Sequence, residues 1–123
     1  MKFSILGIYC LVIVVTFLNT GIEVNAEPTG KFIVTGQNPG SSSHYKGAVS
    51  VKKTGDTYRV VWKIGRTIYR GVGIYSKPIF SVAYYSRKLT GIAVYKEQDD
   101  GAWRGEWTVM GSRLIGFEDW EPR

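Results

Sequence analysis

The sequence predicts an all-β domain, an antiparallel meander of eight strands that closes into a small up-and-down barrel. Two observations carry this reading. Segments of alternating apolar and polar residues, rich in Val, Ile, Thr, Tyr and Trp, recur about every ten residues, and Gly, Asp, Asn, Ser or Pro separates them. No segment behind residue 26 has the period of an amphipathic helix. A meander with one apolar face buries that face, and removes its exposed strand edges, by curling on itself.

Ahead of the strands, Lys2 precedes an apolar run from Ile5 to Leu18, and a polar stretch then ends in Val24-Asn25-Ala26. This is the order of a secretory signal peptide: basic start, apolar centre, small residues at the cleavage site. The run is shorter than the roughly 20 residues that span a bilayer. The expectation is therefore a signal peptide over 1–26, a single domain over 27–123 without a transmembrane segment, and export to the periplasm or the extracellular medium. Cys10, the only cysteine, falls inside the leader, so the mature chain forms no disulfide and relies on packing.

The strands are expected near 31–36, 44–53, 57–64, 67–75, 79–86, 90–97, 102–109 and 113–120. The loop from Gln37 to Ser43 is the longest connection and the segment expected to be most flexible. Thr54-Gly55-Asp56, Ile64-Gly65-Arg66, Gln98-Asp99-Asp100-Gly101 and Met110-Gly111-Ser112 supply residues that tolerate positive φ, as hairpins require. Alternation puts Tyr58, Val60, Trp62 and Ile64 on one face of the third strand, and Trp103, Gly105, Trp107 and Val109 on one face of the seventh. In the last strand it sends Leu114, Gly116, Glu118 and Trp120 inward together. A buried Glu118 needs a partner, which is a Tyr hydroxyl, an Arg at the barrel end or a polar group on a ligand, unless a bulge near Gly116 turns it outward. An aromatic, a cation and a glycine recur in Tyr45-Lys46-Gly47, Tyr69-Arg70-Gly71 and Trp103-Arg104-Gly105. Such glycines let a sheet bend and let a neighbouring aromatic lie over bare backbone.

Catalytic chemistry finds little support, and the expected protein is not an enzyme. His44, the only histidine, stands beside Ser41-Ser42-Ser43 in what reads as a loop, without a placed acid to complete a triad. One histidine without a second His or Cys at ligand spacing is no zinc or copper site, and Asp99-Asp100-Gly101 reads as a hairpin turn rather than a calcium loop. Glu106 falls on the wet face of its strand, against a glycosidase pair with Glu118. No metal or cofactor is expected.

The formal net charge is +6, and it is unchanged by loss of the leader, which carries one cation and one anion. A basic surface favours acidic partners. Lys63, Arg66 and Arg70 form a candidate surface patch for one, such as an anionic glycan or an acidic protein. Aromatic–cation interleaving also marks β-barrels that bind single-stranded nucleic acid, but here it follows from alternation alone, and export argues against that partner. Trp62, Trp103, Trp107, Glu118 and Trp120 are the candidate lining of an interior ligand site. An eight-stranded barrel is just wide enough to be filled by side chains or to hold one small ligand. The bulk of four tryptophans favours filling.

The stretches Tyr58-Arg59-Val60-Val61-Trp62-Lys63-Ile64-Gly65, Tyr69-Arg70-Gly71-Val72-Gly73, Ala83-Tyr84, Asp100 to Trp107 and Gly116-Phe117-Glu118-Asp119-Trp120 together resemble small exported alphaproteobacterial proteins labelled fibronectin-binding protein. The resemblance implies an exported β-barrel that adheres to a host extracellular-matrix protein such as fibronectin; it assigns no site residues. The architecture is also similar to the avidin and lipocalin barrels, which hold small ligands. The function expected first is thus a non-enzymatic binding protein or adhesin. The alternatives are a carrier of a small ligand and a secreted effector or inhibitor acting on a host protein.

Overall fold

The computed structural model describes residues 27–123, and Ile13 ahead of them. The expected leader and its cleavage after Ala26 lie outside the described residues. Eight strands follow one another: β1 (Gly30–Gln37), β2 (His44–Thr54), β3 (Thr57–Ile64), β4 (Thr67–Ser76), β5 (Ile79–Ser86), β6 (Leu89–Glu97), β7 (Trp103–Val109) and β8 (Gly116–Pro122). Each is antiparallel to the next, and β1 also pairs with β8 in a register that sets Val34 opposite Trp120, so the sheet closes.

Alternation survives closure along most of its length. β3 buries Tyr58, Val60 and Trp62 and exposes Arg59 and Lys63; β5 buries Phe80, Val82 and Tyr84 and exposes Ser81, Ala83 and Tyr85. Every described lysine and arginine is exposed. Gly55, Gly65 and Gly101 have the left-handed backbone expected of them, at φ 67°, 60° and 83°. In the β6–β7 hairpin the Asp100 carboxylate accepts the Ala102 backbone N–H at 3.0 Å, which is turn chemistry.

The inward glycines explain how the curvature is reached. A Cβ on Gly73 would lie 2.3 Å from the Phe80 ring, one on Gly91 would lie 2.3 Å from the Tyr84 hydroxyl, and one on Gly105 would lie 2.3 Å from the Tyr95 ring. Each glycine is covered by an aromatic from the paired strand, which lets large rings lie against the wall instead of crossing the barrel.

One end of the barrel is filled. Phe32, Tyr58, Phe80, Trp103 and Trp120 meet there, with ring centroids 5.5 Å apart for Phe32–Trp120, 5.5 Å for Tyr58–Phe80 and 6.1 Å for Phe80–Trp103. Pro28 is fully buried, and Glu27 pairs with Lys53 at 3.3 Å.

The last strand corrects the sequence reading. It begins at Gly116 instead of 113, and Leu114, expected inward, is 55% exposed. Hydroxyls hold this segment as a loop: Leu114 N–H donates to Ser112 Oγ at 3.1 Å, and Thr108 Oγ1 and Ser112 Oγ donate to the Leu114 carbonyl at 2.8 and 3.3 Å. The Gln37–Ser43 connection is tied by its own side chains as well, with Gln37 Nε2 donating to the Ser41 carbonyl at 2.6 Å.

Candidate functional site

Glu118 sits midway along β8, between the inward Gly116 and Trp120, and strand alternation turns it into the barrel. It is 5% exposed. Three donors converge on Oε1: Trp62 Nε1 from β3 at 2.9 Å, the Tyr95 hydroxyl from β6 at 2.9 Å and Trp120 Nε1 from β8 at 2.7 Å. On Oε2 the Tyr45 hydroxyl donates at 2.5 Å from β2. An indole N–H can only donate, and a carboxylate is the acceptor that can take several such donors at once. No described arginine takes part, so of the partners expected for Glu118 the tyrosine hydroxyls are found and the arginine is not.

The tyrosines around this carboxylate are held in the neutral, donating form. Burial, then the negative charge of Glu118, raises the ionisation of Tyr45, Tyr84 and Tyr95 well above the ordinary tyrosine value.

Above Glu118 the barrel is open. A cavity of about 480 Å³ is lined by Tyr45, Trp62, Tyr69, Tyr84, Tyr95 and Trp107, with Glu118 in its wall and Ala93 leaving room between the rings. The aromatics contact one another edge to face, with centroids 5.8 Å apart for Trp62–Tyr84, 6.3 Å for Tyr69–Tyr84 and 6.1 Å for Tyr45–Trp107. Two of them are pinned to backbone: the Tyr84 hydroxyl donates to the Thr108 carbonyl at 3.0 Å, and Trp107 Nε1 donates to the Phe117 carbonyl at 3.3 Å. Asn38 and Pro39 from the β1–β2 loop, with Ile64, Thr67, Leu89 and Val109, form the rest of the lining.

The cavity divides the interior residues picked from the sequence. Trp62, Trp107 and Glu118 line it. Trp120 is fully buried and supports Glu118 from the filled end. Trp103, expected in the lining, is not part of it; it meets Tyr75 and Phe80 edge to face at that end. The expectation of a filled interior is corrected too. Trp103 and Trp120 fill one half, whereas in the other Trp62 and Trp107 stand in the wall and Gly36, Gly47, Gly71, Gly91 and Gly116 occupy inward positions that leave space. Tyr45, Tyr69, Tyr84, Tyr95 and Ala93 were missed, although all five have the inward parity of their strands.

Lys63, Arg66 and Arg70 are exposed on the outside of the β3–β4 hairpin. Lys63 pairs in register with Ile68 and Arg70 with Val61, so the two cations are diagonal neighbours on one face.

No family model and no curated protein matches the chain. Among solved structures, one described as a "REP1-NXSQ fatty acid transporter" is similar with a TM-score of 0.54 and 9% identity, over 80% of this chain and 97% of that one. At that identity the likeness is one of fold, and it agrees with the closed barrel described above.

Proposed function

We propose that this protein is an exported, non-enzymatic carrier that holds one small, mainly apolar ligand in the open half of its barrel. The observation that carries the reading is the aromatic-walled cavity of about 480 Å³ with a single buried carboxylate. Ligand sites are commonly concave, mostly apolar and fitted with a few fixed polar groups, and barrel mouths are a usual place for them. The similar solved structure is described as a fatty acid transporter, which is support of the same kind at the level of architecture. Export rests on the order of residues in 1–26.

The test is a titration of the chain with N-phenyl-1-naphthylamine, a neutral fluorescent hydrophobe, following both probe emission and quenching of the protein's tryptophans. Trp62 and Trp107 line the cavity, so saturable one-to-one binding with quenching is expected. Val109→Trp, which fills the lining without touching Glu118, should weaken binding about ten-fold or more while the circular dichroism of the barrel is retained. Absence of saturable binding, or binding unaffected by Val109→Trp, would overturn the carrier reading.

The basic face of the β3–β4 hairpin supports a second reading, adhesion to an acidic host macromolecule such as fibronectin. Saturable fibronectin binding that persists at raised salt and is lost on charge reversal of Lys63, Arg66 and Arg70, with the fold intact, is its expected signature. Binding that salt abolishes or that the reversal leaves unchanged would reject it.

A further inference from the structure

We infer that the cavity is built for a ligand whose inward end is a protonated amine, held between Glu118 Oε2 and the surrounding aromatic faces. This rests on the carrier reading and names the ligand class for the same site.

The donors around Glu118 are unevenly shared. Oε1 accepts three hydrogen bonds, from Trp62, Tyr95 and Trp120, which saturate it from the walls and from the filled end. Oε2 accepts one, from Tyr45, and a carboxylate oxygen has room for a second. Tyr45 and Glu118 both line the cavity, so a donor arriving there can complete the set.

The charge inside the barrel selects the donor. The chain carries a formal net charge of +6, yet every described lysine and arginine is exposed, while Glu118 is buried in the cavity wall. An anionic head would meet this carboxylate with no interior cation to offset it. A purely apolar ligand would seal the carboxylate under hydrocarbon with Oε2 served by Tyr45 alone, which is costly for a charge. An ammonium head meets both demands: it donates to Oε2 in a charge-assisted bond and lies against the faces of electron-rich rings. Tyr45, Trp62, Tyr84 and Trp107 supply those faces. The carboxylate is already desolvated and fixed by four donors from four strands, so its ordering does not fall on the binding step. The tail then runs outward past Ile64, Leu89 and Val109, which give that part of the lining an apolar character.

The experiment is calorimetric titration of the full mature chain with decylamine, decanol and decanoate, all below micelle formation, at physiological salt and at several-fold higher salt. These probes share a tail and differ in head charge. The net charge of +6 would draw decanoate to the outer surface, so a preference for the amine that persists at high salt has to come from within the barrel. Decylamine is expected to bind at least about ten-fold more tightly than decanol, and decanoate more weakly than decanol. In Glu118→Gln, which keeps the shape and an acceptor oxygen, the ratio of decylamine to decanol affinity should fall to about one. Equal binding of decylamine and decanol by the unmodified chain, preferred binding of decanoate, or an amine preference that survives Glu118→Gln would overturn the inference while leaving the carrier standing. Failure of all three probes to bind would overturn both. Should Glu118→Gln not fold, the three-probe comparison on the unmodified chain decides by itself.

Discussion

Glu118 unites two tasks that pull in different directions. As an acceptor it ties β2, β3, β6 and β8 together through one side chain, and as a charge in the cavity wall it faces whatever enters the barrel. Replacement by leucine keeps the bulk and removes the acceptor, so the N–H groups of Trp62 and Trp120 and the Tyr95 hydroxyl lose their partner in a buried place. The expected loss is roughly 3 kcal/mol or more in urea unfolding, because each buried donor left unsatisfied costs about 1–3 kcal/mol. Glu118→Gln should cost clearly less, since an amide oxygen can still accept. Equal losses for the two variants would show that the donors find other partners. A second residue-scale expectation concerns Gly105, whose added Cβ would fall 2.3 Å from the Tyr95 ring and 2.8 Å from the Val94 carbonyl oxygen. Gly105→Ala should therefore destabilise by about 1–3 kcal/mol through overpacking and, by displacing Tyr95, also disturb the hydrogen bonds at Glu118. Unfolding midpoints together with tryptophan emission read both effects.

At the scale of elements, the strands were legible wherever alternation and turn chemistry agreed. β3 and β7 were readable because Tyr58, Val60 and Trp62, and Trp103, Gly105 and Trp107, keep strict parity next to glycine-bearing turns. The start of β8 was not, because parity alone cannot register that Ser112 and Thr108 hydroxyls compete for the backbone of Leu114 and hold it out of the sheet. The cavity was illegible for a different reason. Parity shows which residues point inward, but the level at which each one sits depends on strand register across the barrel. Trp103 and Trp107 have the same parity, yet one packs in the filled end and the other lines the open one. The β5–β6 hairpin shows a further gap. It turns through Arg87-Lys88 without glycine or asparagine, and Arg87 adopts φ 51°. A left-handed backbone costs a residue with a Cβ about 1–2 kcal/mol, whereas glycine takes it freely and loses some of that gain through greater freedom when unfolded. Arg87→Gly is thus expected to stabilise the chain by about 0.5 kcal/mol in urea unfolding, with the cavity untouched. Destabilisation would mean that the Arg87 side chain contributes a compensating contact.

At the scale of the whole molecule, the barrel buries several tyrosines and sets the hydroxyls of Tyr45, Tyr75 and Tyr95 against carboxylates, and its response to alkali follows from that. Tyr45, Tyr84 and Tyr95 resist ionisation because they are buried, and further because Glu118 is negative beside them. At the other end, Tyr75 is pushed from the ordinary 10.0 up to about 12, by burial first and then by its hydrogen bond to Glu97, 2.7 Å long. A tyrosine that holds its proton more tightly in the folded chain than in the unfolded one contributes its full stabilisation only while the unfolded chain is also protonated. Its contribution is complete below the ordinary value of 10.0 and declines as pH rises from there through the folded value, about 12 for Tyr75 and higher for the three around Glu118. The unfolding midpoint is accordingly expected to be insensitive to tyrosine ionisation up to about pH 9 and to fall steeply beyond about pH 10, with the tyrosinate absorbance of the buried hydroxyls emerging together with loss of the barrel's circular dichroism. Glu118→Gln removes the second of these causes and leaves burial, the first, so the buried hydroxyls should ionise more readily than in the unmodified chain yet still above the ordinary tyrosine value. If the buried tyrosines of the unmodified chain ionise near pH 10 while the barrel stays folded, the carboxylate and the rings around it are open to water in solution, and the desolvated carboxylate on which ligand selection depends is lost with them.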